Sequence, residues 1–301
     1  MKKMNVKVLF LGLVSMGFVH ASAQTFALQV KNNKITYVND NKGNRVLDFS
    51  YCGYRNSEQD IPNVNNAVFV PCNAGDNWAN IQKAIDYVSS LKPDKQGFRG
   101  AVLLGKGTYT LSRELRIAAS GVVLRGADKE QTVLLKTGVD RGALLYVEGQ
   151  NNVVTTDTVE VQQAYVPVGS KELQVSQSGS FRVGDRVLVV RPSTKEWIAS
   201  IGCNIYGGGI DALGWKPGDT DLLWDRTVTA VASNKLTVDV PFTVALDAAF
   251  GKAKVIRYRW TGRIAHSGVE NLTMVSDYNK QYPKDEDHAW VGVSIENAEN
   301  C

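Results

Sequence analysis

The sequence predicts an all-β chain wound as a stack of short coils, and three observations predict it. Ala101 to Leu104, Tyr109 to Leu111, Leu115 to Ile117 and Val122 to Leu124 are short β-rich runs separated by Gly, Lys, Ser and Arg, too close together for βαβ units. The apolar trios Val102-Leu103-Leu104, Val122-Val123-Leu124 and Leu144-Leu145-Tyr146 recur at twenty and twenty-two residues, the near-constant step of a solenoid that buries the same positions in every coil. A single amphipathic helix, with Ile81, Ala84, Ile85 and Val88 at three- and four-residue steps, stands directly before the first of these runs.

Met1 to Gln24 reads as an export signal. Lys2, Lys3 and Lys7 are its basic start, Val8 to Val19 its apolar run and Ala21-Ser22-Ala23 its small-residue cleavage site. The expected location is secreted or periplasmic. The apolar run is too short for a membrane span, and no Cys before Cys52 offers a lipid anchor. Cleavage removes three Lys and no acid, which lowers the formal charge from +4 to +1. Nucleic-acid binding therefore has no electrostatic support.

Residues 25–74 read as a β-rich lead-in with turns at Asn32-Asn33 and Asn39 to Asn44. The four cysteines, Cys52, Cys72, Cys203 and Cys301, have no metal spacing. A Cys52–Cys72 bridge would staple the lead-in, and free thiols are the alternative.

Residues 75–148 hold the helix, expected over Ile81 to Leu91 with Asp76 or Asn77 as its cap, and the first coils. The order IQKAID, AVLLGKGTYTLSRELRI, GVVLRG resembles the opening of the pectate lyase superfamily domain. That resemblance covers about a sixth of the chain. It implies a right-handed parallel β-helix whose first coil is capped by the helix. It leaves the chemistry open, because lyases, glycoside hydrolases and phage tailspike-like proteins share the same opening. The segment DFSYCGYRNSEQDIPNV resembles one that precedes this domain in secreted carbohydrate-active proteins, where Tyr51, Tyr54 and Arg55 face either a saccharide or the core.

The repeat is interrupted at 149–254 by a β-rich insertion with a hairpin at Ser233-Asn234-Lys235. Inside it Trp197, Tyr206, Trp215 and Trp224 accompany three consecutive glycines without a regular period. Rings in that arrangement serve either as a sugar-stacking, substrate-binding surface or as the core of the insertion. Short strands resume over 255–301, with twenty-two residues from Val269 to Val291. In GVENLTM, Asn271 is placed either to stack in an internal ladder or to face a turn. The count is about five coils with no terminal cap after Cys301, so the expected chain is the N-terminal portion of a longer solenoid.

The chemistry implied by the resemblance is β-elimination on a uronic-acid polysaccharide, which needs a base for the C5 proton and a cation opposite the carboxylate. The candidates are Arg263 and His266 for the carboxylate, His288 for the base, and Asp285 with Asp287 for a Ca²⁺ ion of the kind many β-helix lyases use. Each has a plainer alternative, in a solvated acidic turn or a structural histidine. The other readings are a glycoside hydrolase, which needs two or three carboxylates on one cleft, and a non-catalytic carbohydrate-binding or tailspike-like module. The Asn-Thr-Asp and Gly-His-Gly signatures associated with β-helix polygalacturonases are absent from the 301 residues.

Overall fold

In a computed structural model that describes residues 28–205, 213–282 and 284–301, the chain is mostly β with few helices, and its strands form three larger parallel sheets beside a six-stranded antiparallel one, with three further two-stranded pairs, one parallel and two antiparallel. The segment read as an export signal lies outside the described residues. Among the described residues no helix is long and apolar enough to cross a membrane.

The lead-in opens with a hairpin, β1 (Leu28–Lys31) and β2 (Lys34–Tyr37), whose two-residue turn places Asn32 and Asn33 at φ of +51° and +58°. Asparagine tolerates that left-handed region better than other side chains. Two short 3₁₀ turns, Phe49–Tyr51 and Tyr54–Ser57, then lead to β3 (Asn66–Val70) and to α1 (Trp78–Ser90). Asp76 accepts from the Trp78 amide at 3.0 Å and from the Ser112 hydroxyl at 2.6 Å, which ties the start of α1 to the first coil. All four cysteines are free, so the Cys52–Cys72 staple is not formed.

The chain then visits three sheets in turn and returns to each one coil later. The first circuit is β4 (Gly100–Leu104), β5 (Gly107–Leu111) and β6 (Leu115–Ile117), and the second is β7 (Val122–Gly126), β8 (Thr132–Lys136) and β9 (Ala143–Glu148). Pairings β4–β7, β5–β8 and β6–β9 are all parallel. Inward side chains such as Val102, Leu104, Leu111, Leu115, Ile117, Leu124 and Leu145 are fully buried, and Ile81, Ile85 and Val88 of α1 join the same cluster. Each such aliphatic chain contributes roughly 1.5–3 kcal/mol by leaving water. Tyr109 is also buried there. Its hydroxyl donates to the Val70 and Gly105 carbonyls, and burial pushes its phenol up to about 12.

Between β9 and the third circuit the chain forms β10 (Val154–Glu160), β11 (Tyr165–Val166), β12 (Glu172–Gln174), β13 (Arg186–Arg191), α2 (Lys195–Ser200), β14 (Leu222–Ala232), β15 (Lys235–Val238), β16 (Leu246–Asp247) and β17 (Lys254–Arg259). Six of these strands make one antiparallel sheet in the order β10-β17-β13-β14-β15-β12, with its own core around Val187, Val189, Leu236, Phe242 and Val255. The chain leaves the stack at Gly149 and re-enters it at Gly262 to Ile264, packed directly against that glycine. A Cβ there would stand 2.4 Å from both the Asn297 and Gly262 carbonyl oxygens, so the junction admits only glycine.

The third circuit is β18 (Ile264–Ala265), β19 (Gly268–Glu270), β20 (Thr273–Ser276), β21 (Val291–Glu296) and β22 (Ala298–Glu299). Strands β19, β20 and β21 lie parallel on β7, β8 and β9. Two expectations are corrected here. Leu145 pairs with Leu115, and Val291 pairs with Ala143, so the twenty-two-residue steps from Val122 to Leu144 and from Val269 to Val291 run between different sheets of one coil. The described residues accordingly hold three circuits of this kind instead of about five coils.

Candidate functional site

Strand β20 pairs with β8 from Thr273 on Val133 to Ser276 on Lys136, and the Asp277 amide extends the pairing to the Lys136 carbonyl at 2.9 Å. The turns that follow these two strands, 137–141 and 277–290, are therefore stacked one above the other. Between them opens a cleft of about 710 Å³ lined by Val139, Arg141, Tyr278, Tyr282, Lys284 and Asp285 to Asp287, among others. Tyr282 is 66% and Tyr278 48% exposed, and Trp290, 56% exposed at the end of the upper turn, has the Arg141 guanidinium 5.1 Å over its ring.

The lower turn is braced from inside. Lys136 is fully buried, and its ammonium is ion-paired with Asp140, whose carboxyl is held below the usual range first by that hydrogen bond. The upper turn is closed on itself: the Asp285 carboxylate accepts from the Asn279 amide at 2.6 Å and the Asp287 amide at 3.0 Å, and these bonds lower its pKa. Arg141 reaches up to Asp287 at 3.1 Å and Glu286 at 3.6 Å.

Calcium does not fit this arrangement. Asp285 spends its oxygens on backbone amides, Asp287 and Glu286 face an arginine, and among the described residues no group of three or more acids, histidines or cysteines converges. The assignment of Asp285 and Asp287 as metal ligands is corrected accordingly.

His288 sits at the edge of the same turn, its ring 6.0 Å from that of Tyr278. Its Nδ1 lies 3.0 Å from the Ala289 carbonyl oxygen. A carbonyl only accepts, so Nδ1 donates a proton in this contact and Nε2 makes no hydrogen bond among the described residues.

Arg263 and His266 lie elsewhere, so the three residues read as catalytic do not converge. Arg263 is committed to carboxylates. It pairs with Asp225 and with Glu299 (3.3 Å), while Arg186 bonds the same two acids at 3.0 and 2.6 Å. Tyr258 donates to Asp225 at 2.6 Å; burial, then that bond, raises its pKa. Burial alone would lower the pKa of Arg186, but its bond to Tyr258 and the two acids outweigh this and raise it. The cluster joins the insertion to the third circuit on the wall of a cavity of about 410 Å³. Asp225 and Glu299 share one arginine nitrogen, which sets the two carboxylates of the cluster side by side. Yet both are ion-paired with arginine, whereas a general acid must hold a proton. His266 lies under the lead-in, with its Nδ1 3.1 Å from the Tyr54 hydroxyl and its Nε2 3.2 Å from Arg55 Nη2.

The tryptophans divide. Trp224 is 7% exposed, packs edge-on against Phe242 and donates its Nε1–H to Thr243 at 2.9 Å. It is core, which corrects its reading as a sugar-stacking ring. Trp197 has Arg191 4.7 Å over its ring and Trp215 tilted against it at 6.2 Å. Trp215 is 43% exposed. Tyr206 lies outside the described residues.

No family model and no curated protein matches the chain. Among solved structures it is similar to the Gp54 tailspike of Acinetobacter baumannii bacteriophage AP22, in complex with A. baumannii capsular saccharide. The identity is 11% over 76% of this chain, with a TM-score of 0.42. It is also similar to the tailspike gp49 from Pseudomonas phage LKA1, at 16% identity over 73% of the chain and a TM-score of 0.39. The chain spans about 30% of the length of these tailspikes.

Proposed function

We propose that this chain is an exported right-handed parallel β-helix protein that binds a uronic-acid polysaccharide and cleaves it by β-elimination. The observation that carries the reading is the cleft between the stacked turns 137–141 and 277–290, where Tyr278 and Tyr282 expose their rings beside Arg141 and Lys284 and the exposed Trp290 ring lies against Arg141. Exposed rings suit the C–H faces of pyranoses, and cations suit the carboxylates of uronates. The circuits of three parallel strands, the resemblance of residues 81–126 to the pectate lyase superfamily and the export signal support the same reading. In this fold α1 acts as the cap of the first coil. The crossovers are right-handed, as parallel connections are almost without exception.

In the cleavage step His288 Nε2 takes the C5 proton of the uronate. The electrons of that C–H bond form the C4–C5 double bond, the C4–O bond breaks, and the leaving oxygen takes a proton from water. Lys284, which has no ion pair among the described residues, offsets the carboxylate charge as C5 becomes carbanionic.

Incubating the protein with a panel of uronate polymers and following the ultraviolet absorbance of the unsaturated product tests this directly. Absorbance growing with turnover supports elimination. New reducing ends without it would mean hydrolysis, and binding with neither would mean a carbohydrate-binding module.

A further inference from the structure

The lead-in crosses the stack between two cavities, and side chains alone hold it there. Among the described residues no backbone hydrogen bond joins 46–62 to the rest of the chain. Its tethers are Tyr51, which accepts from Lys171 Nζ at 2.7 Å, and the neighbours Tyr54 and Arg55, both of which end on His266. Tyr54 lines the 410 Å³ cavity of the arginine–carboxylate cluster and also a second one of about 250 Å³, walled by Ile61, Val64, Val123 and His266. Asn300 and Cys301 border both.

The protonation of His266 follows from its partners. A guanidinium only donates, so Arg55 Nη2 requires the lone pair on Nε2, and the single ring proton sits on Nδ1, donated to the Tyr54 oxygen. Adding a proton to Nε2 would set two donors and two positive charges face to face at 3.2 Å. The backbone is in the left-handed region on both sides of this contact, with φ of +47° at Arg55, +57° at Asn56, +61° at Ser57 and +61° at His266. Such conformations persist only while their surroundings hold them.

We infer that Tyr54, Arg55 and His266 form a pH-operated strap, which lies closed between the two cavities while His266 is neutral and lets go when it is protonated. The charged groups facing His266 are Arg55 from the lead-in, Asp94 from the loop after α1, and Glu299 from the third circuit. Both carboxylates are engaged elsewhere, Asp94 by the Gln96 and Phe98 amides and Glu299 by Arg186 and Arg263. Burial, and after it Arg55, holds the imidazole below its ordinary pKa. The inference stands on this contact and not on the polysaccharide reading, so either can fail alone.

A nitroxide on Cys52, which is exposed within the strap, tests it, with Cys72, Cys203 and Cys301 replaced by serine. The label should be immobile at neutral pH and gain a mobile population as pH falls below about 6.5. That population should grow about tenfold for each unit by which closure depresses the His266 pKa. His266→Asn, neutral at every pH and tolerant of positive φ, should abolish the response. The midpoint should coincide with the His266 titration followed by proton NMR in the same protein, and Arg55→Ala should move that titration upward. A label equally immobile across the range in which His266 titrates overturns the strap, as does a response retained in His266→Asn. Should the asparagine variant not fold, separate midpoints in the unsubstituted histidine protein overturn it equally.

Discussion

The side-chain amide of Asn271 donates to the carbonyl of Gly126 at 2.9 Å, closing the corner of the third circuit onto the corner beneath it. A Cβ on Gly126 would stand 2.2 Å from the Asn271 carbonyl oxygen. Gly126→Ala should therefore destabilise the protein by about 2–3 kcal/mol. Asn271→Gly, which keeps the +57° φ and deletes only the bond, should cost about 1 kcal/mol. Urea denaturation of the two variants and of the double variant checks both values, and neighbours this close should not be additive.

Lys136 and Asp140 make a second test, because one partner is buried and the other is half-exposed. Asp140→Ala strands a buried ammonium and should cost about 2 kcal/mol, at the low end for such pairs because Asp140 still meets water. Lys136→Met should be nearly neutral. Since the folded pKa of Asp140 is depressed, its contribution is present above its ordinary value of 3.8 and is lost as pH falls below it. Stability measured against pH should show that acid limb in the parent and a smaller one in Lys136→Met.

The tryptophans of the insertion should separate by thermal melting. Trp224→Ala empties a core position and should cost about 3–5 kcal/mol. Trp215→Ala removes a ring that is already in water and should change stability by less than about 1 kcal/mol. Equal losses would mean that Trp215 is core as well.

Much of this architecture was legible in residue pattern. The period of Ile81, Ala84, Ile85 and Val88 located α1, and the hairpin turns at Asn32-Asn33 and Ser233-Asn234 stood where asparagine and serine offered the left-handed backbone. Coil register was not legible. All three sheets bury aliphatic trios, so Leu144-Leu145-Tyr146 reads the same whether it stacks on β4 or on β6. The same ambiguity conceals the site: only the stacking of Ser276 on Lys136 brings Arg141 beneath Asp287, from which it stands far apart in sequence. The cluster of Arg186, Asp225, Tyr258 and Glu299 left no local signal, because its members come from four separate strands. The burial of Trp224 was not legible either, because a tryptophan among glycines looks the same in sequence whether its ring faces water or Phe242.

The most direct test of the proposal that the cleft between turns 137–141 and 277–290 binds polysaccharide is affinity electrophoresis through gels containing each of a panel of uronate polymers. The parent protein should be retarded by at least one. Tyr278→Ala and Tyr282→Ala, both exposed and so expected to fold normally, should each weaken that retention about threefold to tenfold, the equivalent of roughly 0.5–1.5 kcal/mol per stacking ring. Retention that both variants keep in full, or no retention of the parent by any polymer, would contradict the assignment of this cleft.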